Sequence, residues 1–550
     1  AKKNRIIEDF NQNWNFKLGD FPNAIQSNFN TADWRTLQLP HDWSIEGTFD
    51  KDSKTKQAQA FLPAGKGWYR KTFTLPSAWK NKNVSIEFDG VFKNSEVFIN
   101  GHSLGIRPNG YISFAYELSQ YLHFGKQNII AVKVDNDAQP NSRWYTGSGI
   151  YRNVRLVASD KLHVAQWGTY VTTPEVSSVK ATVKLEVTIE NKANAEKEFQ
   201  LETSILDTNN KEVANAKTTE KIGANTNAKK IHNLNVNQPK LWDTKNPNLY
   251  KIVTTIYENS KAVDTYETPL GFRFFNFDAE KGFSLNGKST KILGVCLHHD
   301  NGALGAVENI HAVKRKLTIL KEMGTNAIRM AHNPHSLEMM QLCDEMGFIV
   351  QDEFTDVWKK KKVTNDYHKD WDAWHKQDLE DFIKRDRNHP SVMMWSIGNE
   401  IREQFYFDML ARDLAGYQPN REIPKTKALN EQRLMTLRDD TVASWLLELF
   451  MDGDSFTLKQ IIERDGGNLT REYRSDDGIP FTNLYEDYLN FCNRNKTNGF
   501  KQDSKISLSK RLSDLGAIRG RSHCIERAKM FIFDTDFFSN LRSTLGIENF

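Results

Sequence analysis

Residues 391–400 read SVMMWSIGNE. An apolar run of four to eight residues closed by a turn signal is the mark of a buried strand. Here the run stops on Gly398, Asn399 and Glu400, so the strand ends on an amide and a carboxylate. The same pattern recurs upstream. KILGVCLHHD (291–300) is a strand ending in His298, His299 and Asp300. TNAIRMAHNP (325–334) is a strand carrying Arg329 and His332 at its end, and FIVQDEF (348–354) one carrying Asp352 and Glu353. Between them lie amphipathic helical stretches, ENIHAVKRKLTILKEMG closed by Gly324, LEMMQLCDEMG and HKQDLEDFIKRDRNHP. Strands that alternate with helices and gather polar residues at their C-terminal ends predict a parallel β/α barrel with its site on that face.

The flanking segments differ. Residues 1–160 read as a β-sandwich: VSIEFDGVFKNSEVFINGHSLG and NIIAVKVDN are short alternating strands broken by Asp-Gly and Asn-Gly turns. Residues 161–272 read as a second sandwich, with ATVKLEVTIEN, FQLETSILDT and LYKIVTTIYEN alternating at period two. The four barrel strands occupy 273–404. Beyond them the alternation stops, and ASWLLELFM, FTLKQIIERDG, NLYEDYLNFCNRN and SLSKRLSDLG read as helices, with SHCIERAKMFIFD as a strand pair.

Composition excludes several classes. A net charge of +4 over 550 residues does not call for a polyanionic partner of the whole chain. The four cysteines, Cys296, Cys343, Cys492 and Cys524, show no CxxC spacing, so neither a zinc site nor a disulfide scaffold is indicated. No apolar run reaches the roughly 18 residues of a membrane span, and AKKNRIIEDF has no signal-peptide core. A soluble protein of the bacterial cytoplasm or periplasm is expected, and a homo-oligomer is possible.

A carboxylic acid at the end of a barrel strand can protonate a glycosidic oxygen; on an ordinary loop it would only cap or pair. Converging polar groups at four strand ends favour the first reading for Glu400. In DNDAQPNSRWYTGSGIYRNV (135–154), Asp135 follows a strand, and Trp144 and Tyr145 offer flat faces of the kind on which sugars stack. Asp135 can equally cap its turn.

Residues 1–404 resemble glycoside hydrolase family 2, most of all its bacterial β-galactosidases. The stretches that carry the resemblance are LQLPHDWSIEG, GWYRKTF, GVFKNSEVFINGHSLG, WYTGSGIYRNV, KILGVCLHHDNGALG, NAIRMAHNPHS and RDRNHPSVMMWSIGNE. The resemblance implies a sugar-binding jelly roll (1–160), an immunoglobulin-like sandwich (161–272) and a TIM barrel (273–404, its N-terminal half). It implies retaining hydrolysis of terminal β-D-galactosides with Glu400 as general acid/base. It makes Asn399 the neighbour that holds the sugar 2-hydroxyl, His298 and His332 residues lining the sugar site, and Asp135 the residue of a sandwich loop that reaches it. Arg329 is expected to support the site through ion pairs. Two departures stand out. Val357 and Lys359 occupy the spacings where some members carry magnesium ligands, so no metal or other cofactor is inferred, and Asp356 alone is a weak candidate. The family's nucleophile, a Glu in a Glu-aromatic-Gly motif, is not found in 401–550.

The tail (405–550) resembles the C-terminal winged-helix-like module of viral and phage-type DNA primase-helicases, without the GxxxxGK[ST] loop of an ATPase. Residues 501–530 hold eight Lys or Arg against three Asp or Glu. Lys505, Lys510, Arg511, Arg519 and Arg521 would be the phosphate contacts if this stripe met DNA. Three functions follow as expectations: a β-galactosidase-type hydrolase, an inactive carbohydrate-binding remnant, or a DNA-binding chain in which two unrelated sequences are joined near residue 405.

Overall fold

The computed structural model describes residues 4–401 continuously and, in the tail, short stretches between residues 457 and 532. The first domain is a two-sheet sandwich. One sheet pairs Ile6–Asp9, Val154–Ser159, Asn83–Phe88 and Phe114–Glu117 in that spatial order; the other has six strands, with Gly65–Thr74 paired along Gln127–Asn136 at its centre. Alternation drives this. In Asn83–Phe88, Val84, Ile86 and Phe88 are buried while Asn83, Ser85 and Glu87 are only partly so. The inward side chains meet Trp14, Trp79, Val97, Ile99 and Val132 in one core.

The second domain is also a sandwich, of three and four antiparallel strands. Its longest pairing runs Lys180–Asn191 against Thr226–Asn237 in continuous register. Ala181, Val183, Leu185, Val187 and Ile189 supply its inner face.

The third domain begins with a small antiparallel sheet (Phe275–Asp278, Gly282–Leu285, Lys288–Ser289) and then forms four parallel strands: Gly294–Leu297, Ala327–Met330, Ile349–Glu353 and Val392–Ser396. Three helices connect them: α1 (Ile310–Glu322), α2 (Leu337–Met346) and α3 (Trp371–Asp386). The caps are as the sequence signals require. Asn309 takes the N–H groups of His311 and Ala312, Ser336 takes that of Met339, and Gly347 closes α2 at φ +73°. Met330, Met340, Cys343, Phe348 and Val350 fill the space between strands and helices. Cys343 is buried there, whereas Cys296 on the first barrel strand is exposed.

Both sandwiches are fastened to this sheet-and-helix unit. Trp242 donates its indole N–H to the carbonyl of Asp344 (2.9 Å), and Arg273 donates to the carbonyls of Pro390 and Val392. On the other side the buried Arg152 of the first sandwich donates to the carbonyls of Pro334 (2.9 Å) and Tyr111 (3.1 Å). Asp42 accepts the N–H of Ala306, the N–H of Ser148 and the hydroxyl of Tyr145. Gly147 lies at the centre of this joint, at φ +69°, where an added Cβ would stand 2.6 Å from both Asp42 Oδ2 and Ala306 Cβ. Gly147→Ala is therefore expected to destabilise the chain by about 2 kcal/mol or more, read as a lower denaturant midpoint at unchanged slope.

In the tail the described backbone is mostly strand. Thr457–Arg464 pairs antiparallel with Gly467–Arg474, and Ile479–Pro480, Lys529–Ile532 and Ile518–Arg521 form a small sheet. The described positions Tyr485, Tyr488 and Leu489 of NLYEDYLNFCNRN and Leu508 of SLSKRLSDLG are helical, as expected for those segments. The expected helix FTLKQIIERDG is thus corrected to a strand: Thr457, Ile461 and Ile462 are β-branched, and the Asp-Gly pair that separates the two strands in sequence is a hairpin signal. The described stretches lend no support to a mostly α-helical, winged-helix-like tail, most of which lies outside the described residues. Among the proposed phosphate contacts, Arg519 and Arg521 fall in the strand Ile518–Arg521, while Lys505, Lys510 and Arg511 lie outside the described residues.

Candidate active site

The C-terminal ends of the four parallel strands meet a loop of the first sandwich. At the centre is Glu353, 1% exposed. Arg329 from the neighbouring strand grips it through Nε (3.0 Å) and Nη2 (2.7 and 2.8 Å). His332 Nδ1 lies 3.0 Å from Glu353 Oε1, and Ser396 Oγ donates to Oε2 at 2.7 Å. Burial alone would raise the Glu353 carboxyl, but the hydrogen bonds from His332, Ser396 and Arg329 outweigh it and hold the group below the usual carboxylate range.

Arg329 Nη2 also donates to Asn399 Oδ1 (2.8 Å), and Asn399 Nδ2 donates to Asp356 Oδ1 (2.7 Å). Both ends of the Asn399 amide are held, so its orientation is fixed with one N–H and one lone pair to spare. Asp356 Oδ1 further accepts from Lys362 (2.9 Å) and Arg143 (2.8 Å). Burial would raise the Asp356 carboxyl; these donors lower it on balance. Asp356 is thereby neutralised by side-chain cations of this chain, which weakens its candidacy as a metal ligand. Among the described residues no group of three or more His, Cys, Asp or Glu side chains is arranged to hold a metal ion.

Glu400 follows Asn399 at the mouth, its side chain 65% exposed and its oxygen Oε2 3.3 Å from Arg143 Nη2 and 3.5 Å from Lys362 Nζ. The preceding Gly398 has no room for a side chain: a Cβ would sit 2.6 Å from Ile401 and 3.0 Å from the indole nitrogen of Trp358, which bonds the carbonyl of Ile397.

His298 and His332 stand edge to face at 5.2 Å, and the indole of Trp144 lies 5.3 Å from each. Burial lowers the pKa of His298, and its Nδ1 has no protein partner. His299 points the other way. It packs against Tyr111 and Tyr151, sits 3.3 Å from the Thr146 carbonyl, and is pushed down to about 3 by burial, so it belongs to the domain joint. Asp352 is also buried, with both oxygens lacking a hydrogen-bond partner, and burial beside Asp386 raises its pKa well above the carboxylate range.

The structure therefore brings together His298, His332, Asn399 and Glu400. It does not bring Asp135. That residue ends the strand Gln127–Asn136, pairs with Lys66 (3.6 Å) and accepts the Asp137 N–H (3.2 Å), the turn-capping role. The sandwich reaches the barrel instead through Arg143 and Trp144, eight and nine positions further on. Trp144 was visible as an aromatic face; Arg143 was missed, its only sequence signal being adjacency to that tryptophan.

Comparison with known proteins bears on the whole arrangement. Residues 7–160 match the sugar binding domain of glycosyl hydrolases family 2, residues 163–273 match glycosyl hydrolases family 2, and residues 279–466 match its TIM barrel domain. The chain belongs to glycosyl hydrolases family 2. Among its relatives, a β-galactosidase of Bacteroides ovatus is 51% identical over 401 residues, covering 73% of this chain and 47% of the relative. A β-glucuronidase of Formosa agariphila is 32% identical over 477 residues, covering 82% of this chain and 47% of the relative. A family 2 member from Bacteroides cellulosilyticus is similar in structure, with a TM-score of 0.72 at 39% identity over 74% of this chain and 54% of that one. The chain thus spans about half the length of these relatives. The barrel match runs past residue 404 to residue 466, so the resemblance does not stop at the junction read from sequence. The primase-helicase likeness of 405–550 gains no support from these matches.

Proposed function

We propose that the chain carries the sugar-binding and acid/base portion of a retaining glycoside hydrolase of β-galactosidase type. The observation that carries this reading is the convergence of Asn399, Glu400, His298 and His332 around one mouth, with Trp144 of the sandwich as its aromatic wall. Glu400 gives its proton to the leaving glycosidic oxygen, then takes one from the water that opens the glycosyl intermediate. Asn399, pinned between Arg329 and Asp356, presents its remaining N–H and lone pair to the sugar 2-hydroxyl. His298 and His332 bond hydroxyls on the ring's other edge. Arg329 and Glu353 hold Asn399 and His332 in place and do not touch the sugar. A retaining enzyme needs a second carboxylate about 5–5.5 Å from the first; the family's Glu-aromatic-Gly motif that would carry it is not found in residues 401–550.

The greater identity to the β-galactosidase than to the β-glucuronidase favours a galactoside. The test is release of nitrophenol from nitrophenyl β-galactoside and from the matching β-glucuronide by the purified chain. Faster release from the galactoside supports the assignment. Release from neither, by a folded and monodisperse sample, leaves a carbohydrate-binding module and removes the hydrolase reading.

A further inference from the structure

The parallel sheet is open at both ends. Among the described residues its outer strands, Gly294–Leu297 and Val392–Ser396, each pair on one side only. The carbonyls of Leu293 and Leu297 accept from Ala327 and Ala331, on the side of the second strand. Alternation along the strand therefore turns the backbone groups of Gly294 and Cys296 toward the open side. The two faces of the sheet also differ. On the helix side Ile328, Met330 and Val350 are buried. On the other side Cys296, Arg329, Gln351 and Met394, one from each strand and in register, form a row in which Cys296 is exposed and the rest are half-buried. A closed barrel fills such positions with packed side chains. The flanks are bare too. A hollow of about 330 Å³ lies beside α1 at Ala312, Ile319 and Leu320, and one of about 230 Å³ runs along Val392, Met393 and Trp395.

Closure at eight strands needs four more strand-and-helix units, about 120 residues at roughly 30 per unit. Between the fourth strand and Thr457 lie about 60 residues, room for two such units at most. From Thr457 onward the described strands are antiparallel and pair with one another. A second copy of the chain supplies the missing set in one step: four parallel strands with the same two open edges. A twofold axis along the barrel lays the first strand of each copy beside the fourth strand of the other. All eight then run parallel, and no edge is left to pair further.

We propose that the open face of this sheet is the docking surface for a second copy of the chain, two half-barrels closing into one about a twofold axis. Cys296, Gln351 and Met394 of both copies then lie in a shared interior. Each mouth around Asn399 and Glu400 faces the strand ends of the other copy across the rim. The second copy thereby supplies the wall that the four described strands leave out. The inference stands on the sheet and its edges, and does not depend on the chemistry of Glu400.

The test combines light scattering of the full chain over a wide concentration range with maleimide labelling read peptide by peptide. A mass twice that of the chain is expected. In that dimer Cys296 should label about tenfold or more slowly than glutathione, because a thiol enclosed in the barrel is out of reach. Buried Cys343 serves as the protected reference. Met394→Lys places an ammonium on the same row, at little cost where the row faces water and at a large one where the barrel closes over it. It is expected to give a monomer of unchanged circular dichroism whose Cys296 labels as fast as glutathione. If Met394→Lys does not fold, the wild-type mass and Cys296 rate decide. A monomer at every concentration overturns the proposal, and a monomer with Cys296 protected shows that the chain covers its own sheet. A dimer whose Cys296 labels freely, or one that Met394→Lys leaves intact, pairs through another surface and overturns it as well. Open-ended assemblies do the same, since a twofold closure leaves no free edge. None of these outcomes bears on the glycosidase reading.

Discussion

If the chain hydrolyses aryl β-galactosides as proposed, Glu400→Gln is expected to lower that rate by about 10²- to 10⁴-fold, the range contributed by a positioned general acid/base. The substitution keeps the shape and the hydrogen bond from Arg143, so folding should be untouched: the side chain is 65% exposed and lies at the mouth. The deficit should depend on the leaving group. An aryl group that departs readily as its anion needs little protonation, so kcat for the first step should suffer least there and most with an alkyl galactoside. A small azide anion, acting in place of activated water, should restore turnover on the activated substrate. Wild-type rates from Glu400→Gln would remove this residue from the mechanism and direct attention to another strand end.

The second large effect is on stability. Glu353→Gln is expected to cost about 3 kcal/mol, the lower end for breaking a buried charge pair, because Arg329 keeps 27% of its side chain exposed and is only partly stranded. Hydrogen bonds from His332, Ser396 and Arg329 overcome the burial of Glu353 and depress its folded-state pKa. A depressed carboxylate contributes stability that is fully present above its unfolded pKa, about 4.3, and is lost as pH falls through the folded value. Wild type and Glu353→Gln should therefore differ most near neutrality and converge in acid. Denaturant titrations at pH 7 and at progressively lower pH would show it; parallel curves across the range would mean that the Glu353 pKa is the same in the folded and unfolded chain.

The barrel strands and helices were legible in the sequence because two independent signals agreed. Apolar runs ended on polar clusters, and the stretches between them were amphipathic at helical spacing, the first closed by Gly324. The tail stretch Thr457–Arg464 was misread because Leu458, Ile461 and Ile462 also satisfy a helical spacing, and a short segment carries too few residues to separate the two periods. At the site, Asn399, Glu400, His298 and His332 were legible because each ends or follows a barrel strand. Asp135 was misplaced because counting along a loop fixes order in the chain but not where the loop turns. Arg143 reaches Asp356 across 213 positions of sequence, and no local pattern announces so distant a partner.

The joint around Gly147, Asp42 and Arg152 has a consequence for how such proteins diversify. One face of the cleft is written in the first 160 residues and the other after residue 290, so the two can change on separate timescales. Under the proposed reading, substitutions at Trp144 would alter what is accepted while leaving Asn399 and Glu400 held as they are, whereas Arg143, bonded to Asp356 and Glu400, cannot vary so independently. Exchange of the first domain between relatives, with Asp42 and Arg152 kept so that the seam still closes, would transplant preference while leaving the reacting groups where they are.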